Sequence, residues 1–96
     1  MNADLSAPLK SVLDTIDRFA RGEVDVEALQ AAVRSAEDSV TEYELRDLRK
    51  FLQSAEGKLE LIRFTVDTEC VFTEALKVAQ DVGSRVRSTF GLAISD

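Results

Sequence analysis

Seven carboxylates crowd the 22 residues from Glu23 to Glu44: Glu23, Asp25, Glu27, Glu37, Asp38, Glu42 and Glu44, with Arg34 the one base among them. The chain carries a formal charge of −6, and this stretch accounts for all of it, because acids and bases balance elsewhere. Clustered acids can do two kinds of chemistry. They can attract a basic partner electrostatically. At helix starts they can instead accept hydrogen bonds from exposed backbone amides and complement the helix dipole, worth about 0.3–1 kcal/mol each. Asp25, Glu27, Glu42 and Glu44 fall at expected helix N-termini and have that second use available. Glu23, Glu37 and Asp38 do not.

Other reactive groups are sparse. The chain has no histidine, which excludes Ser-His and Cys-His nucleophilic catalysis, histidine-ligated zinc and the Glu-x-x-His di-iron pattern of helical bundles. Glu56 and Glu60 form an i,i+4 carboxylate pair on a helix surface, but without further ligands they are expected to be solvated. Gly22, Gly57, Gly83 and Gly91 are scattered and form no phosphate-binding loop. Arg46, Arg49 and Lys50 are too few for a nucleic-acid face on an acidic protein. Cys70 is the only cysteine. It permits no internal disulfide and reads as a small core residue. The expectation is a protein that is not an enzyme, with no cofactor, no metal, no direct nucleic-acid contact and no membrane contact. Met1–Asn2–Ala3–Asp4 lacks a basic leader, and Asp14, Asp17 and Arg18 interrupt the early apolar run, so the reading is cytoplasmic.

The elements that position these groups follow from apolar spacing. Ninety-six residues suit one domain, 1–96. Leu9, Val12, Leu13, Ile16, Phe19 and Ala20 share a helical face, with Ser6 as N-cap, Pro8 in the first turn and Gly22 as the C-terminal stop, giving a first helix over about 6–21. Asp14→Arg18 and Asp17→Arg21 are acid-first i,i+4 pairs along it. Asp25, Thr41 and Asp67 are N-cap residues, each preceded by valine (Val24, Val40, Val66) and followed four residues on by Leu29, Leu45 or Val71, the pattern of a hydrophobic staple. Thr41 with Glu44 completes a capping box. The second helix spans about 26–36, ending near Glu37–Asp38, with Val26, Leu29, Ala32, Val33 and Ala36 inward. The third spans about 42–65, with Leu45, Leu48, Leu52, Ala55, Leu59, Ile62 and Val66 in one stripe that runs through Gly57. The fourth spans about 68–87, with Phe72, Ala75, Leu76, Ala79, Val82 and Val86, and an Asp81→Arg85 pair. A partly ordered tail with Phe90, Leu92 and Ile94 follows. Residues 62–72 also alternate as a strand would, and that reading stays open. Short connections predict an all-α, up-down bundle of four helices. Its topology sends Glu23, Asp25 and Glu27 to the end with Arg18 and Arg21. Glu37, Asp38, Glu42 and Glu44 go to the other end, where Arg85 and Arg87 are expected to neutralise part of their charge.

Two family resemblances bear on function. The stretch from Ile16 to Leu29, IDRFARGEVDVEAL, resembles the start of small helical bacterial immunity proteins of the colicin-immunity kind, in which a first helix ends in a Phe-x-x-Gly turn and a second begins with Asp or Ser before Glu. It covers 14 of the 96 residues. The resemblance implies an acidic inhibitor that masks the active site of a basic, nuclease-like toxin. Asp38–Ser39–Val40 resembles the Asp-Ser-Leu attachment site of acyl and peptidyl carrier proteins, which implies phosphopantetheine on Ser39. The chain departs from that pattern at Ser35–Ala36–Glu37, where carriers have Leu-Gly, and at Arg46, Arg49 and Lys50, where they are acidic. Three readings therefore stand: a partner-binding domain that meets a basic protein through Glu23, Asp25, Glu27, Glu37, Asp38, Glu42 and Glu44; a carrier modified on Ser39; and a homodimeric helix bundle joined through helix 3 or helix 4 and the tail.

Overall fold

The computed structural model describes residues 6–94, with side chains from Ala7 to Thr89. It contains four helices: α1 (Ser6–Ala20), α2 (Val26–Ser39), α3 (Arg46–Thr65) and α4 (Thr68–Ile94), with a 3₁₀ turn at Tyr43–Leu45 leading into α3. Each helix packs on its chain neighbours, and α1 closes the ring against α4. This is the all-α, up-down bundle that the apolar spacing predicts.

Each helix buries four residues or their near equivalent along one stripe. Leu9, Val12, Ile16 and Phe19 come from α1; Leu29, Val33 and Ala36 from α2, continued by Val40; Leu48, Leu52, Ala55 and Leu59 from α3; and Ala75, Ala79, Val82 and Val86 from α4. All recur at spacings of three or four, the period that brings side chains onto one helix face. The α3 stripe keeps phase through Gly57, as its sequence requires. Small residues on α4 (Ala75, Ala79 and the buried Gly83) let α1 lie close: a methyl group at Gly83 would stand 3.8 Å from Ile16 Cδ1.

The first reversal has a clear local cause. Gly22 adopts φ +76°, which suits a residue without Cβ. Its amide donates to the Phe19 carbonyl at 3.0 Å, and the Glu23 amide donates to the Arg18 carbonyl at 2.8 Å, the paired bonds of a Schellman stop. Asp25 then caps α2, its carboxylate accepting from the Ala28 amide at 2.9 Å. The pairs Arg18–Asp14 and Arg21–Asp17 form at 3.2 and 2.9 Å.

Several sequence expectations need correction. The Thr41–Glu44 capping box does not form. The chain stays extended through Glu42, and the 3₁₀ turn satisfies its own amides by i→i+3 bonds, such as Leu45 N–H to Glu42 C=O at 3.0 Å. That tightening turns Leu45 toward the core. α2 runs to Ser39 instead of residue 36, because Val40 is a core residue and the helix must carry on to reach it. The segment 62–72 is no strand: α3 and α4 meet at the two-residue break Val66–Asp67. α4 continues to Ile94 as helix, beyond the expected end near 87. The side chains of Phe90, Leu92 and Ile94 lie outside those described. Ala20 and Cys70 are exposed, not core, since both fall off the stripes of their helices. The Asp81–Arg85 pair is not made among the described residues; the Arg85 guanidinium lies over the Phe51 ring instead, 5.1 Å from its centroid.

Leu52 is wholly buried in the first half of α3. Leu52→Ala is expected to destabilise the fold by about 2–5 kcal/mol through lost burial and the cavity left behind. A lower urea midpoint with an unchanged slope is the expected readout.

Candidate functional site

Antiparallel packing divides the seven acids between the two ends of the bundle, and the ends differ in how those acids are used. At the α1–α2 end all three are engaged. Asp25 caps α2. Glu23 lies 3.4 Å from Arg21, and Glu27 lies 2.9 Å from Arg63, which reaches across from α3. These acids complete local structure.

Between the ends, the α2–α3 seam holds a polar junction. Gln30 is the one buried polar residue among those described, 7% exposed. Its Nε2 donates to Glu56 at 2.8 Å and to Glu60 at 3.4 Å, and its Oε1 accepts from Arg63 at 2.7 Å. Arg34 adds a 3.0 Å ion pair to the same Glu56 oxygen. Glu56 is therefore not solvated as the sequence suggested, since its side chain keeps only 14% exposure. The Gln30 hydrogen bond, helped by Arg34, holds the Glu56 carboxyl below the usual glutamate range despite the opposing effect of burial. No buried side-chain polar atom among the described residues lacks a partner. A shallow groove of about 550 Å³ overlies this junction, between Glu27 and Asp38.

The α2–α3 end looks different. Glu37, Asp38, Glu42 and Glu44 make no ion pair among the described residues, whose ion pairs all lie elsewhere. Arg85 and Arg87 form no ion pair with them, although Arg85 lines one groove with Glu44. Arg85 covers Phe51, and Arg87 folds against Gly83, where an added Cβ would meet its guanidinium at 3.3 Å. In the middle of this acidic loop stands Tyr43, 73% exposed. The Arg46 guanidinium lies 4.0 Å from its ring centroid, and Arg46 Nη1 also donates to the Tyr43 carbonyl at 3.1 Å. The ring is thus held outward by a stacked cation. The sequence reading missed Tyr43. The available signal was an aromatic residue between Glu42 and Glu44, outside every apolar stripe.

Ser39 ends α2, and its hydroxyl donates to the Ser35 carbonyl at 2.9 Å. A phosphodiester there would face the negative end of the helix dipole. Among the described residues no group of His, Cys, Asp and Glu could hold a metal ion, and no helix is long and apolar enough to cross a membrane.

The seam generates a stability prediction. Because the Glu56 pKa is depressed in the folded state, its contribution is fully present above the unfolded value of about 4.3 and is lost as pH falls through the folded value. Glu56→Gln is expected to flatten the acid limb of the stability–pH profile below about pH 4.3. Gln30→Ala is expected to destabilise the fold by about 1–3 kcal/mol, because it strands charged partners. Urea titrations across pH read both effects. No family model matches the chain, and no curated protein or solved structure shows significant similarity to it.

Proposed function

We propose that this chain is a non-enzymatic protein-binding domain of the immunity-inhibitor type, which meets a basic partner through the acidic loop between α2 and α3. The observation that carries the reading is Tyr43, 73% exposed among acids that make no ion pair within the described residues. A rigid aromatic with a polar tip is the kind of side chain that anchors protein interfaces. Glu42 and Glu44 flank it in the chain and Glu37 and Asp38 lie in the last turn of α2, and the acidic excess at this end accelerates encounter with a positively charged surface. Glu23, Asp25 and Glu27 drop out of the proposed contact set, because each is already bonded within the bundle. The Ile16–Leu29 resemblance to immunity proteins supports the same class of partner, a basic toxin whose active site is covered by the inhibitor.

The test is a comparison of variants against one captured basic protein. After capture and identification at low salt, dissociation constants are measured by calorimetry for the wild type, Tyr43→Ala, the double variant Glu42→Lys/Glu44→Lys, and Glu23→Lys as control. Tyr43→Ala is expected to weaken binding by about tenfold or more, corresponding to a hot-spot loss above 1 kcal/mol. The double reversal is expected to slow association and remove most of its salt dependence. Glu23→Lys is expected to bind as the wild type does. Equal affinity for all four proteins, with helical CD intact, contradicts the proposal.

A further inference from the structure

The acidic loop carries one cation of its own. From Glu37 to Arg46 the acids are Glu37, Asp38, Glu42 and Glu44, and Arg46 is the single base. Arg46 follows Glu42 and Glu44 closely in the chain, yet it makes no ion pair among the described residues. Its guanidinium carbon lies 4.0 Å from the Tyr43 ring centroid, and its Nη1 donates to the Tyr43 carbonyl at 3.1 Å. Tyr43 thus offers a stacking face and a carbonyl acceptor together. That combination is a seat for a guanidinium, a planar group with five N–H donors that can stack and donate at once. A lysine ammonium is compact and strongly hydrated, and it gains less from such a seat. Tyr43 and Arg46 are both exposed, so no surrounding structure locks the contact shut. A cation–π contact at an exposed site is weak, about two- to fivefold in an equilibrium constant.

We infer that the seat on Tyr43 receives an arginine of the basic partner, and that Arg46 fills it in the free chain as an internal competitor. The inference rests on the acidic-loop reading and names the group that the loop takes up. An incoming arginine exchanges with Arg46, so the ring and the carbonyl keep a guanidinium throughout. The displaced Arg46 head passes into water. The arriving charge lies beside Glu42 and Glu44, which no base of the described chain pairs. Arg46 has two opposed effects on this exchange. It orders the ring before encounter, which lowers the cost of binding. It also covers the face that the partner needs and adds a like charge there. The second effect is the larger, because the 3₁₀ turn already fixes the Tyr43 backbone: the Leu45 amide donates to the Glu42 carbonyl, and the Arg46 amide donates to the Tyr43 carbonyl. Removing the Arg46 charge therefore strengthens the interaction, although Arg46 lies inside the contact region.

NMR titration of the full chain at low salt with two peptides, tetra-arginine amide and tetra-lysine amide, tests the inference. Tyr43 is the one tyrosine in a chain without tryptophan or histidine, so its ring resonances are simple to assign. The wild type is expected to bind tetra-arginine about threefold or more tighter than tetra-lysine, with shifts in the Tyr43 ring protons and the Arg46 Nε–H. Tyr43→Leu is expected to bind the two peptides equally, through charge alone. Arg46→Met keeps an unbranched side chain without the charge, and is expected to bind tetra-arginine about threefold or more tighter than the wild type. Arg49→Met removes the same charge from the same helix, and Arg49 makes no cation–π contact among the described residues. It is expected to gain clearly less. Equal tightening by Arg46→Met and Arg49→Met, or weaker binding by Arg46→Met than by the wild type, overturns the inference. Equal binding of both peptides by the wild type, with both weakened in Glu42→Lys/Glu44→Lys, removes the arginine seat and leaves the acidic-loop reading standing. Binding of neither peptide at millimolar concentration overturns the inference and counts against that reading as well.

Discussion

Everything in this molecule depends on four apolar stripes that cannot be buried one at a time. Helices as short as α1 and α2 are marginal alone in water, and each stripe needs two neighbours to cover it. The connections are brief: residues 21–25, 40–45 and 66–67. Links this short leave antiparallel packing as the arrangement that buries all four stripes at once. The same constraint fixes where each charged group lies. Alternating helix directions bring the start of α2 to one end of the bundle and its finish to the other, splitting the acidic stretch in two. The division of the acids between two ends is thus a consequence of core burial, while the local partners Arg21 and Arg63 make one end bonded.

The Gln30 junction adds something the apolar core does not. Leucine and valine packing tolerates small slides of one helix along another, but bonds from Gln30 to Glu56, Glu60 and Arg63 hold only at one register. Such a network is favourable when complete and unfavourable when half satisfied. Here every described buried polar side-chain atom has a partner. The register it sets places the 3₁₀ turn, and with it Tyr43, at a defined point beyond the α2–α3 seam. An interior polar contact thereby bears on the geometry of an exposed loop.

The fold was largely legible in the sequence, because periodic apolar spacing and a glycine stop are local signals. Gly22 and Asp25 behave as their types dictate, since a Schellman stop and an N-cap involve only near neighbours. Misreadings arose where tertiary contacts decide. Thr41 and Glu44 have the right spacing for a capping box, yet Leu45 has to reach the core, and a 3₁₀ turn serves that need better. Glu56 looks like a surface carboxylate until α2 brings Gln30 and Arg34 to it from more than twenty positions away. Arg85 and Arg87 share an end with the acids, as topology requires, but neither pairs with them, and Arg85 stacks on Phe51 instead. Tyr43 escaped notice because its meaning lies in what it fails to bury.

The central functional claim is that the open acidic loop, and not the bonded end, meets a basic protein. Hydrogen–deuterium exchange on the full chain, with and without the captured basic protein, addresses it most directly. Binding through this loop should slow amide exchange across residues 37–46 while leaving 20–28 unchanged, with protection lost as salt is raised. Protection centred on residues 20–28, or none at 37–46 in a saturated complex, would contradict the account.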